Sequence, residues 1–137
     1  MTLEASDSLE ILQLVARADA CATVRDAEGY AALFTEDAVM EGDMGSISGR
    51  DALAAAVARV WEGEASGTLH LTLNAVIEES GPEPTVASIL LLLSPLSPAL
   101  VAGTAEVRQR VRRTSSGWRI SSRTIKTTPT QRSGANV

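Results

Sequence analysis

The sequence predicts an α+β fold, and three observations carry that reading. Up to about residue 61, apolar residues recur at three- and four-residue steps, the spacing of a helix face. From residue 69 on, the period changes to two, the spacing of half-buried strands. Strand and helix patterns do not alternate along the chain, which argues against a parallel, doubly wound sheet. Three helices followed by a meander of long strands place helices against a curved, mostly antiparallel sheet.

The elements follow in order. Asp7 with Glu10 three places later reads as a capping box that opens a first helix. Leu9, Leu12, Ala16, Asp19 and Thr23 then form a stripe that turns from apolar to polar as it ascends. Asp26 caps a short second helix over 27–34. "TEDAVMEGDMGSISGR" follows, with Gly42, Gly45 and Gly49 as turn formers; it predicts a short strand, a hairpin and a return. Asp51 caps a third, alanine-rich helix over 52–61. Strands are expected at 69–78, 86–93, 100–113 and 118–126, separated by "SGPEP", "SPLSP" and "TSSG". Residues 89–93 are apolar at successive positions, so both faces of that strand are expected to be covered, one by helices and one by a second subunit. The chain reads as one domain over 1–127, with a polar, loose tail over 128–137.

Bulk composition narrows the classes of function. A chain of 137 residues is long enough for a core without staples, and its 45% hydrophobic and 21% charged residues fit a globular protein. Aromatics are 3%, so the core is built from aliphatic side chains. A net charge of −5 argues against general nucleic-acid binding. One cysteine, Cys21, excludes an internal disulfide and a cysteine-rich zinc site. A lone histidine without clustered carboxylates argues against a dedicated metal site, and no cofactor is expected. There is no phosphate loop and no Gly-x-Ser-x-Gly elbow. The N-terminus lacks a signal-peptide pattern and the longest apolar run is too short to cross a bilayer, so no membrane role is expected and a cytoplasmic location follows by default.

The one histidine lies in "GTLHLTLNAV", where His70, Thr72 and Asn74 occupy alternate positions and therefore one face of an ideal strand. They either line a polar pocket or are isolated polar residues that the fold tolerates. Several segments in order, "EGYAALFTEDAVM", "GRDALAAAV", "LHLTLN" and "RVRRTSSGWRISSRTI", resemble the SnoaL-like group of the nuclear-transport-factor-like superfamily. The pattern is nearest to its scytalone dehydratase and dehydrochlorinase branch, and the match covers nearly the whole chain. The resemblance implies a cone: a strongly bent mixed sheet wrapped around the N-terminal helix, with three helices on the concave side and a pocket at one end. Phe34, Asp37, Gly117 and Trp118 match positions that are mainly structural, with Asp37 fastening the turn into the first strand.

The resemblance also implies chemistry. In that branch a histidine on the strand after the third helix works with an aspartate near the end of the first. His70 falls on the histidine position and Asn74 also matches; the aspartate position lands on Thr23, whose hydroxyl cannot serve as an equivalent base. Asp19, one helical turn earlier, can take the place of the missing carboxylate, or else face water or pair with an arginine. A carboxylate against an apolar wall has a raised pKa and can exchange a proton. Tyr30 either aims its hydroxyl into the pocket or packs under the second helix. Gln109 can hydrogen-bond a substrate carbonyl. Arg113 is either a pocket cation or part of a surface, for Glu106, Arg108, Arg110 and Arg112 share one solvated or subunit-facing row.

Two functions of different class are therefore expected. One is a cofactor-independent enzyme that moves a proton on a small apolar organic molecule (a dehydratase, isomerase or cyclase), with His70 and Asp19 catalytic and Thr23, Tyr30, Asn74, Gln109 and Arg113 contacting substrate. The other is a non-catalytic binding or accessory domain of the same fold. A homodimer through the outer sheet face is expected for either.

Overall fold

The computed structural model describes residues 2–43, 45–95 and 100–128. Helix α1, Ala5–Thr23, is followed by a single-turn helix α2, Ala27–Ala31, and a hairpin of β1, Phe34–Gly42, and β2, Gly45–Ser48. Helix α3, Arg50–Glu62, then leads into four long strands: β3, Leu69–Glu78; β4, Thr85–Ser94; β5, Leu100–Thr114; and β6, Gly117–Thr127. The sheet has the order β2-β1-β6-β5-β4-β3. All neighbours are antiparallel except β1 and β6, which run parallel and are separated in the chain by β2, α3 and the meander β3 to β5.

The α+β class with three helices and a mixed sheet against the N-terminal helix stands, but the cone does not. The sheet is open and not strongly curled, with β2 and β3 as separate edges that never pair with each other. Closure needs two edges able to exchange a row of hydrogen bonds. Here β2 is four residues long and leads through Gly49 straight into α3. On the other edge, the His70 N–H of β3 is taken by the Thr23 hydroxyl of α1 at 3.1 Å. The helices are accordingly not gathered inside a concave wrap. Helix α1 lies against β3 and β6, α3 against β1 and β2, and α2 touches both helices.

Local details differ from the expected ones for readable reasons. The capping box of α1 is formed by Glu4 and Asp7, a turn before the expected pair. Glu10 instead accepts the Trp118 backbone N–H at 2.8 Å, and Asp7 also accepts from the Trp118 indole at 3.2 Å. The buried face of α1 is Ile11, Leu14, Val15, Ala18 and Ala22; Leu9, Leu12 and Ala16 of the expected stripe face outward. Helix α2 ends early because Phe34 is drawn into β1 and the core. Helix α3 has no side-chain cap; it starts after Gly49, whose positive φ of 89° lets the chain turn out of β2.

The core joins α1 and α3 to the sheet through Ile11, Leu53, Phe34, Val86, Val111, Trp118 and Ile120. Tyr30 packs between Phe34, tilted at 44°, and Trp61, edge-on at 88°, with centroid distances of 5.1 and 5.3 Å, so three of the few aromatics form one wall. On β4, Leu90 is buried while Ile89 is 37% exposed, so one face of that strand stays open in the single chain. Residues 129–137 of the expected tail, and residues 96–99 of the β4–β5 connection, lie outside the described residues.

Candidate functional site

Two β-bulges decide which side chains enter the space between α1, α3 and the sheet. In β3 the register slips between Leu73 and Val76, so Asn74 and Ala75 stand opposite the single residue Ser88 of β4. Asn74 takes a left-handed φ of 54°, which asparagine tolerates better than most residues. His70 and Thr72 turn inward before the bulge, and Ala75 and Ile77 pack on the core after it. Asn74 is exposed and lines a shallow groove on the outer sheet face with Val76 and Glu78. The shared face expected for His70, Thr72 and Asn74 therefore ends at Thr72.

In β6 the register slips at Ser121: Arg110 pairs with Ser122 and Val111 with Ile120. Trp118 and Ile120 point inward, and the extra residue resets the phase so that Arg123 and Ile125 do as well. Arg123 thereby stands in register with inward-facing Gln109 of β5.

The result is a cavity of about 490 Å³. Its polar wall includes Asp19, Tyr30, Glu64, His70 and Arg123; its apolar wall includes Trp61, Leu90 and Leu92. His70 is 7% exposed, with Nε2 at 2.8 Å from Glu64 Oε1. The edge of the Trp61 ring meets the imidazole at a centroid distance of 6.2 Å. Glu64 is held by its surroundings. Its backbone N–H reaches the Trp61 carbonyl, and Arg25 donates to the carbonyls of Glu64 and Ala65 at 3.0 and 3.1 Å. Thr68 closes the turn onto the Ala65 carbonyl at 2.7 Å.

Asp19 is half-buried on the same wall. Burial raises its carboxyl pKa, against the pull of Thr72 hydrogen bonding and of the Arg123 charge. Burial likewise raises the Tyr30 phenol, which is 4% exposed and lies on the wall as well as under α2. Arg123 is 5% exposed; its Nη1 donates to Gln109 Oε1 at 3.0 Å, and its Cζ lies 6.0 Å from the centre of the Tyr30 ring.

Of the residues expected at the site, the fold brings together His70, Asp19 and Tyr30. Thr23 stands beside them, not on the wall, and uses its hydroxyl on the His70 backbone. Gln109 is fully buried behind Arg123. Arg113 is at the far end of α1, where it pairs with Asp7 and covers the Trp118 ring at 4.8 Å. Glu106, Arg108, Arg110 and Arg112 do form an exposed row, in which Arg108 pairs with Glu78, and Arg112 with Glu83 and Asp37. Sequence reasoning did not single out Glu64, Trp61 or Arg123. No spacing rule marks Glu64, which reaches His70 only because residues 63–69 fold back. Among the described residues no group of three or more His, Cys, Asp or Glu side chains is placed to hold a metal ion, and no helix is long and apolar enough to cross a membrane.

Comparison with known proteins agrees with this architecture. A protein of unknown function with a cystatin-like fold from Nostoc punctiforme is 31% identical, with a TM-score of 0.86 over 95% of this chain and 97% of its own. A Mycobacterium tuberculosis protein of unknown function, Rv3472, is 28% identical, with a TM-score of 0.78 over 89% of this chain and 72% of its own. An NTF2-like protein with a cystatin-like fold from Novosphingobium aromaticivorans is 25% identical, with a TM-score of 0.78 over 92% and 84% of the two chains. No curated protein gives a significant match. None of these similarities singles out the scytalone dehydratase or dehydrochlorinase branch. The SnoaL-like domain family matches residues 3–124, and with that span the chain belongs to the SnoaL-like family of the NTF2-like, cystatin-like superfamily.

Proposed function

We propose that the protein is a cofactor-independent enzyme that transfers a proton on a small, largely apolar organic molecule. The observation that carries this reading is the His70–Glu64 pair on the wall of a cavity large enough for a bicyclic ring system. A carboxylate that receives one ring N–H fixes the imidazole tautomer and leaves the other nitrogen with its lone pair. It also stabilises the imidazolium once that nitrogen has taken a proton. Glu64, and not Asp19, thus fills the orienting role. Asp19, on the same wall as His70, takes the part of proton donor in this proposal, a part that the upward shift of its pKa by burial favours. Tyr30 offers a hydroxyl to a substrate oxygen from the same wall. The proposal assigns no part to Asn74, which is exposed on the outer sheet face, or to Arg113, which pairs with Asp7.

Proton abstraction can be assayed without knowing the natural product. A panel of cyclic and aromatic ketones in D₂O is followed by proton NMR for loss of the signal next to the carbonyl. The wild-type protein accelerates exchange of at least one member, and His70→Gln lowers that rate by about a hundred- to ten-thousandfold. An unchanged rate in His70→Gln would sink the assignment.

A second reading, a binding domain without catalysis, is favoured by one observation. The position where the resemblance expects an aspartate is Thr23, and its hydroxyl is occupied by a backbone N–H. Tight ligand binding with no exchange on any carbonyl probe supports that reading. For either function we propose a homodimer through the outer sheet face, where Leu71, Leu73, Val76 and Ile89 are exposed. A monomeric mass in solution scattering contradicts it.

A further inference from the structure

We propose that the cavity selects organic anions: its ligand has an apolar body and one carboxylate-type oxygen pair, which the Arg123 guanidinium receives. This inference rests on the cavity being a small-molecule site, as proposed above, and names the ligand class.

Arg123 is 5% exposed, yet among the described residues no carboxylate lies within ion-pairing distance of it. A guanidinium has five N–H donors in a fixed fork. One, on Nη1, goes to the neutral Gln109 oxygen, and Nε has no partner among the described residues. The Gln109 amide nitrogen behind it is also unpartnered. A buried, uncompensated cation is costly, and such a group persists where an anion completes it. Two acids share the wall, but neither fills that place. Glu64 is turned to His70. Asp19 is felt by Arg123 only at longer range, and burial disfavours its charge.

The setting is built. Gln109 and Arg123 are directly paired residues on β5 and β6, and the Ser121 bulge turns the guanidinium inward. The Tyr30 ring lies with its centre 6.0 Å from the guanidinium carbon, within reach of a cation–π contact. A carboxylate matches the arginine fork in shape as well as charge. The remaining wall, with Trp61, Leu90 and Leu92, suits an aromatic or alicyclic body.

The test measures binding of a matched pair of probes, 2-naphthoate and the neutral 2-naphthamide, by titration calorimetry. Wild type is expected to hold the acid at least about tenfold more tightly than the amide. Arg123→Gln abolishes that preference and leaves amide affinity within about threefold. Should Arg123→Gln not fold, Gln109→Glu serves, because it sets a carboxylate against Nη1 and neutralises the guanidinium in place; the same loss of preference is expected. His70→Gln retains the preference, which separates anion selection from proton transfer. Equal affinities in wild type, or a preference that survives both Arg123→Gln and Gln109→Glu, overturns the inference. Binding of neither probe overturns it together with the small-molecule reading, whereas acid-selective binding without carbonyl exchange overturns only catalysis.

Discussion

Replacing Thr23 by valine keeps the volume and branching of the side chain and removes one hydroxyl. In the folded protein that oxygen accepts the His70 backbone N–H at 3.1 Å and ties the C-terminal end of α1 to the free edge of β3. Valine leaves a part-buried edge N–H without its acceptor, which costs about 1–3 kcal/mol. With an unfolding entropy of about 2.1 cal/mol/K per residue, each kcal/mol in a chain of 137 residues moves Tm by about 3.5 °C. The expected drop is therefore about 3–10 °C in calorimetry, with a matching fall in the urea midpoint and no change in its slope. Thr23→Ser keeps the acceptor and should lose well under half as much. Hydrogen exchange at His70 reports the same bond directly: its amide, slow in wild type, becomes fast in Thr23→Val. If valine and serine cost the same, or the His70 amide exchanges equally in both variants, the hydroxyl does not anchor this edge and the account of the open sheet fails with it.

Other perturbations test separate parts of the site. Because burial raises the folded pKa of Asp19 above its unfolded value of about 3.9, its contribution is fully present below that pH and is lost as pH rises through the folded pKa. Asp19→Asn, neutral throughout, should match wild type in acid and gain on it towards neutrality in urea unfolding; a loss at neutral pH refutes the dominance of burial. Asp7 behaves in the opposite sense: the Glu4 N–H, Arg113 and the Trp118 indole lower its pKa, so its stabilisation is present above about 3.9 and lost as pH falls through the folded value. Asp7→Asn should therefore be less stable at neutral pH and converge with wild type in acid. Arg25→Ala frees the turn that carries Glu64 and is expected to slow carbonyl exchange about tenfold while the affinity of 2-naphthamide stays unchanged. Trp118→Phe removes the indole donor to Asp7 and part of a side chain that is 1% exposed, a cost of about 1–3 kcal/mol in urea unfolding.

Periodicity and turn chemistry are local, and they located most of the fold. The change from a helical to a two-residue period placed β3 at its observed bounds, and "SGPEP" and "TSSG" marked real connections. Asp26 was legible as a cap because an aspartate followed by a short alanine-rich run has few other uses, and it does bond the Gly29 N–H at 2.9 Å. His70, Asp19 and Tyr30 were legible as site candidates because polar groups on otherwise apolar stripes are costly unless something uses them. The cone was not legible. Its expectation came from resemblance, while closure depends on whether two distant edges find each other.

What the sequence determined by itself is the set of elements, their order and the polar residues available to a cavity, because these follow from contacts a few residues apart. What only the tertiary structure decided is which of those residues meet. An extra residue in β3 sends Asn74 outward, an extra residue in β6 brings Arg123 inward, and a turn held by Arg25 swings Glu64 onto His70. A bulge forms where two strands compete to keep their apolar faces on the core, and that competition is settled by the partner strand, so no pattern read along one segment records it.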